Sequence, residues 1–104
     1  MIARIWHGRT KPEHADAYEA MLKPELLPGV GKMKGFHHSY LLRRDLGSEV
    51  EFITVMFFDS IDAIRAIAGQ DYETSIIPEE RKKYLCYHDA KAAHYEVVSV
   101  HKAG

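Results

Sequence analysis

Three observations predict an α+β fold. Segments of β-type composition alternate with segments of helical apolar spacing along the 104 residues. Their order reads strand, helix, strand, strand, helix, strand. The apolar strand surface exceeds what two helices can cover.

Residues 2–9 read as the first strand. Alternation divides them into Ile2, Arg4, Trp6, Gly8 and Ala3, Ile5, His7, Arg9. Neither set is cleanly apolar, so both faces are expected to be partly covered. Thr10-Lys11-Pro12-Glu13 opens a helix in capping-box form, with Thr10 as the cap and Pro12 in the first turn. Ala15, Tyr18, Met21 and Leu22 make its apolar stripe. Pro24 is expected to end or kink this helix, and residues 24–35, rich in Gly and Pro, to form a loop.

Residues 36–44 form the second strand, with Phe36, His38, Tyr40 and Leu42 on one face. Asp45-Leu46-Gly47-Ser48 is a hairpin turn. Residues 51–58 are the most hydrophobic stretch and belong inside the sheet. Asp59-Ser60 caps a second helix carrying Ile61, Ile64 and Ile67, and Gly69 ends it. A helical turn is expected over 72–77, stopped by Pro78, followed by a charged run over 79–83. Residues 85–87 suit a short strand and residues 92–100 the last one.

This is the split βαβ, ferredoxin-like βαββαβ pattern, in one domain spanning 1–104. Helices on one side leave the other sheet face open, with Ile53, Val55 and Phe57 or their alternates upon it. An apolar face of that size needs a cover, and a second copy stacked by a two-fold axis is the simplest, so a homodimer is expected.

Composition excludes several functions. Lys and Arg total 14 against 15 Asp and Glu, a net charge of −1, so no basic surplus favours nucleic acid. The single cysteine, Cys86, leaves no intramolecular disulfide or multi-cysteine metal site. No apolar run is long enough to cross a bilayer and no signal peptide is visible, so a cytoplasmic domain without membrane partners is expected.

No strong short motif is present: no phosphate loop, no paired-Cys zinc spacing, no His-Glu-x-x-His, no Gly-x-Ser-x-Gly. Of the seven histidines, His37 and His38 are adjacent on a strand and point to opposite faces. Only His7, His94 and one of that pair could converge, and no metal is expected. Cys86 reads as an inert thiol. Trp6 is either a packing residue or a pocket wall with an N–H donor. His94 is either a hydrogen-bonded interior group or a base whose pKa suits neutral pH. Tyr40 reads as structural, with ligand hydrogen bonding as its other role.

The opening Met1-Ile2-Ala3-Arg4-Ile5-Trp6 with Gly8 and Thr10, the stretch from Phe58-Asp59-Ser60 to Ala68-Gly69, and the closing His94-Tyr95-Glu96-Val97 resemble the antibiotic biosynthesis monooxygenase family, an uncharacterised bacterial branch in particular. The resemblance covers nearly the whole chain. It implies a dimeric α/β barrel with a pocket between sheet and helices in each subunit. Better-known members oxidise phenolic polyketides without metal or flavin, degrade haem, or act on quinols. The Asn, Trp and His positions of the haem degraders are held here by Trp6, Ile67 and a position near Ile77.

The resulting expectation is a cofactor-independent monooxygenase acting on a small aromatic, polyketide-like or quinol-like compound. His94 would be the base and Trp6 the donor that orients oxygen. Tyr40, Phe58, Ile67 and Tyr72 would bind the substrate. The alternative is a non-catalytic, small-ligand-binding or stress-associated dimer on the same fold. Strands one and four should be neighbours, so Trp6 and His94 can share the helix-facing side, and Arg4 can pair with Glu96 across those strands.

Overall fold

The computed structural model describes residues 1–26, 34–75 and 77–103. Its elements are β1 (Ile2–Thr10), α1 (Pro12–Leu26), β2 (Phe36–Asp45), β3 (Val50–Phe58), α2 (Ile61–Ala68), α3 (Glu79–Lys82), β4 (Leu85–His88) and β5 (Ala93–Glu96). All strand pairs are antiparallel, in the order β2-β3-β1, with β4 and β5 sharing the far edge of β1. The expected ferredoxin-like α+β arrangement is the observed one.

The last strand differs from expectation. It is two pieces, β4 opposite Gly8 to Thr10 and β5 opposite Ile2 to Ile5. Between them the chain turns outward and pairs instead with the segment after α2, through Ser75 N–H to the Ala90 carbonyl (2.9 Å) and Ala92 N–H to the Glu73 carbonyl (2.7 Å). A bridge between Thr74 and Lys91 stands where a helical turn is expected; Ile76 of that stretch lies outside the described residues. Beyond Glu96 the strand stops, and Val98 and Val100 are exposed.

Register separates the faces. Arg4, Trp6, Gly8 and Thr10 align with Met56, Thr54, Phe52 and Val50. On this face α1 buries Ala15, Tyr18 and Leu22 against Val50 and Phe52. The Tyr18 and Phe52 rings meet edge to face, 5.0 Å between centroids, an arrangement that adds about 1 kcal/mol to their burial. Arg43 ties β2 to α1 from the rim, through Asp16 (2.9 Å) and Glu19 (3.2 Å). The other face carries Ala3, Ile5 and His7 opposite Phe57, Val55 and Ile53, which in turn face His38, Tyr40 and Leu42. Thus Ile53, Val55 and Phe57 do lie on the face without helices.

Three local expectations are corrected. A register shift between Phe36 and His38 aligns Phe36 with Phe58 and His38 with Phe57. The extra residue moves Phe36 to the helix side, where its ring meets Phe58, away from the face of His38, Tyr40 and Leu42. Thr10 is not the cap of α1: it ends β1, fully buried, and its hydroxyl finds no partner among the described residues. Pro24 does not end α1, which continues to Leu26; the remainder of the expected loop, 27–33, lies outside the described residues. Helix α2 follows its sequence signals: the Ser60 hydroxyl accepts from Ala63 N–H at 3.1 Å, and Gly69 closes the helix at φ 88°.

Candidate functional site

A cavity of about 220 Å³ lies between the sheet and α1. Arg4, Trp6, Thr54 and Met56 form its floor, Tyr18 and Leu22 its wall on α1, and Ser75, Ile77 and Arg81 its rim. This is below the usual range for ligand pockets, about 300–1,000 Å³, and suits only a compact frame.

Trp6 is held at three points. Its indole N–H donates to the Asp89 carbonyl at 3.0 Å. Its ring lies over Gly8, where a Cβ would come within 2.9 Å of two indole carbons. Its face is stacked toward His88, 6.4 Å between centroids. The N–H is thereby directed to the backbone, and the indole gives the cavity a flat apolar wall.

His94 stands directly opposite Arg4 in the β1–β5 register, and Trp6 is two residues along the same face. Trp6 and His94 therefore share the helix-facing side. Arg4 is interposed as the contact of His94: its Nη1 lies 3.0 Å from His94 Nε2 and donates to the Tyr72 carbonyl at 2.6 Å. A guanidinium only donates, so Nε2 accepts and a neutral His94 carries its proton on Nδ1. Burial and the Arg4 charge push the His94 pKa down, against a smaller upward pull from Glu73. Burial likewise lowers the pKa of Arg4. Glu96 is opposite Ile2, so the expected Arg4–Glu96 pair does not form.

The remaining expected site residues separate by position. The Tyr72 ring meets His94 edge on at 5.0 Å and lies beneath the Arg65 guanidinium at 5.4 Å. Phe58 is buried at the end of β3 against Phe36. Ile67 is 40% exposed on α2. Tyr40 lies on the opposite sheet face, packed against His38 and Phe57. None of these four lines the cavity, and His94 stands beside it, behind Arg4. Arg4, Met56 and Arg81 line it, and no sequence motif marks them as ligand residues. The available signal was a charged residue at mid-strand on the same alternation as Trp6.

Asp89 organises the gap between β4 and β5. Its Oδ2 accepts from His7 N–H and is 2.9 Å from His7 Nδ1, while Oδ1 accepts from the Tyr87 hydroxyl at 2.7 Å. Burial pushes the Asp89 pKa up, but the hydrogen bonds from Tyr87 and His7 outweigh it and hold the carboxyl below its ordinary value. The same residue's carbonyl receives Trp6 and the Ser75 hydroxyl, so the sheet edge and the cavity floor share one anchor.

Among the described residues no cluster of three His, Cys, Asp or Glu side chains is arranged to hold a metal ion. No imidazole or thiolate is among the residues lining the cavity. No helix of the described residues is long and apolar enough to cross a membrane.

No family model and no curated protein matches the sequence. Solved structures do match by shape. A Bacillus cereus protein classed as an antibiotic biosynthesis monooxygenase aligns with 100% of this chain and 97% of its own, at TM-score 0.70 and 15% identity. The Mycobacterium tuberculosis haem degrader MhuD, solved with two haems in its active site, aligns with 98% of this chain and 100% of its own, at TM-score 0.67 and 19% identity. Rv0793 of Mycobacterium tuberculosis aligns with 99% and 98%, at TM-score 0.57 and 17% identity. The chain has the ferredoxin-like α+β fold of antibiotic biosynthesis monooxygenase structures, and at these identities the likeness is one of fold.

Proposed function

We propose that the chain is a cofactor-independent monooxygenase whose substrate, a small electron-rich aromatic, occupies the cavity between α1 and the sheet. The observation that supports this reading most directly is the Arg4–His94 pair beside a cavity walled by Trp6, Tyr18, Leu22 and Met56. An oxygen of the substrate accepts from Arg4, whose Nε and Nη2 have no protein partner among the described residues. The Nε2 lone pair of His94, released from Arg4, takes the substrate's acidic proton, and the guanidinium holds the anion that forms. Such an anion reduces O₂ itself. For an anthrone-type methylene, the ring CH₂ and O₂ give a ring carbonyl and water, so both oxygen atoms are accounted for. Trp6, Leu22 and Met56 exclude water from the anion.

A homodimer belongs to the same reading. Its support is the open face, where Ile5, Val55 and Phe57 are half-buried and Tyr40, Leu42 and Tyr95 exposed. A second reading is binding without turnover. It is favoured by the engagement of both expected catalytic atoms, Trp6 N–H by Asp89 and His94 Nε2 by Arg4.

Oxygen uptake with a panel of anthrones and hydroquinones, with and without chelator, separates the two readings. Chelator-insensitive uptake that falls at least about 100-fold in His94→Ala supports the oxygenase. Binding of the same compounds without uptake supports the second reading, and full activity in a folded His94→Ala removes His94 as the base.

A further inference from the structure

We propose that the ligand of this cavity is an aromatic anion, a carboxylate or phenolate, selected by Arg4. This rests on the cavity being the binding site proposed above, and adds the ligand's charge and the residue that reads it.

Four other arginines each hold a carboxylate: Arg9 with Glu49, Arg43 with Asp16 and Glu19, Arg44 with Glu51, and Arg65 with Asp62. All four are at the rim or surface, where such pairing is least needed. Arg4 is half-buried on the helix-covered face, yet its partners are a carbonyl and an imidazole, and among the described residues no carboxylate lies within ion-pair distance. A charge withdrawn from water ordinarily requires an opposite charge.

The geometry suits an anion. Tyr72 and His94 both engage Nη1, which fixes the guanidinium plane and leaves Nε and Nη2 without a protein partner among the described residues. That edge is the one a planar carboxylate meets with two parallel hydrogen bonds, and a phenolate with one or two. The residues lining the cavity include no carboxylate. Trp6, Tyr18, Leu22 and Met56 surround it with ring and aliphatic surface, which small inorganic anions do not use and an aromatic frame does.

The test compares isosteres on the wild-type chain. 2-Naphthoate and 2-naphthamide have the same shape and differ in charge at neutral pH. Binding is read by calorimetry and by emission of Trp6, the chain's single tryptophan, which lies in the cavity floor. The carboxylate is expected to bind about tenfold tighter or better than the amide. Arg4→Gln should abolish that preference and leave amide binding within about threefold; Arg4→Lys, which keeps charge but not the fork, should restore part of it.

Equal affinity for the two probes, no binding of either, or a preference surviving in Arg4→Gln would overturn the proposal. Should Arg4→Gln fail to fold, the wild-type pair still decides it. Binding needs no turnover, so failure here is separable from failure of the oxygenase reading. Anion preference without oxygen uptake retains this proposal and loses that one. Uptake with neutral substrates and no preference does the reverse.

Discussion

At the scale of single residues, the contact between Arg4 and His94 governs the chemistry open to the cavity. Burial favours neutral imidazole, as does a cation donating into Nε2, so the folded-state pKa of His94 lies below its ordinary 6.5. The unfolded chain therefore takes up the proton first as pH falls. Stability from this group is complete above pH 6.5 and is lost as pH descends from there through the lowered folded value. His94→Gln retains an acceptor for Arg4 and removes the titration. Urea midpoints measured across this window should fall with pH more steeply for wild type than for the variant. Parallel slopes would mean that His94 carries no folded-state shift.

At the scale of elements, the cavity floor is set by β1 and by the break between β4 and β5. Gly8 leaves the space in which the Trp6 indole lies, and Asp89 supplies both the carbonyl that holds it and the carboxylate that replaces a ladder acceptor for His7. A methyl group at position 8 would also stand 3.1 Å from Leu85, so the ring has little room to slide along the sheet. Gly8→Ala should tilt the indole, shift Trp6 emission and cost about 1–3 kcal/mol in chemical denaturation. An unchanged spectrum with unchanged stability would show that the Trp6 position does not depend on this glycine.

At the scale of the whole molecule, the chain is a slab, 38 × 36 × 23 Å, and among the described residues α1 packs on one sheet face. Val55 lies near the middle of the other face, between Ile5 and Tyr40 in register. If that face is covered by a second copy, sedimentation should return twice the 11.9 kDa chain mass at micromolar concentration. Val55→Glu should return the single mass, since a charge buried at such an interface has no partner. A wild-type chain of single mass would remove the dimer.

Much of this architecture follows from local sequence. Ser60, Gly69 and the three-residue spacing of Ile61, Ile64 and Ile67 define α2 because capping and amphipathicity act within a turn or two. The alternation in β1 places Trp6 and Arg4 together because period two is intrinsic to a strand. The sequence by itself thus determined the element order, the fold class and one face of the site. Tertiary structure alone decided who meets whom. Strand register set His94, not Glu96, opposite Arg4, and two residues of offset changed an expected ion pair into a guanidinium–imidazole contact. The extra residue at His37 reversed Phe36, and the outward turn at Asp89 divided the last strand and took up the Trp6 N–H. The Arg4–His94 and Trp6–Asp89 contacts depend on pairing between segments more than 80 residues apart, and the reversal of Phe36 on register across the β2–β3 hairpin; local propensity encodes neither.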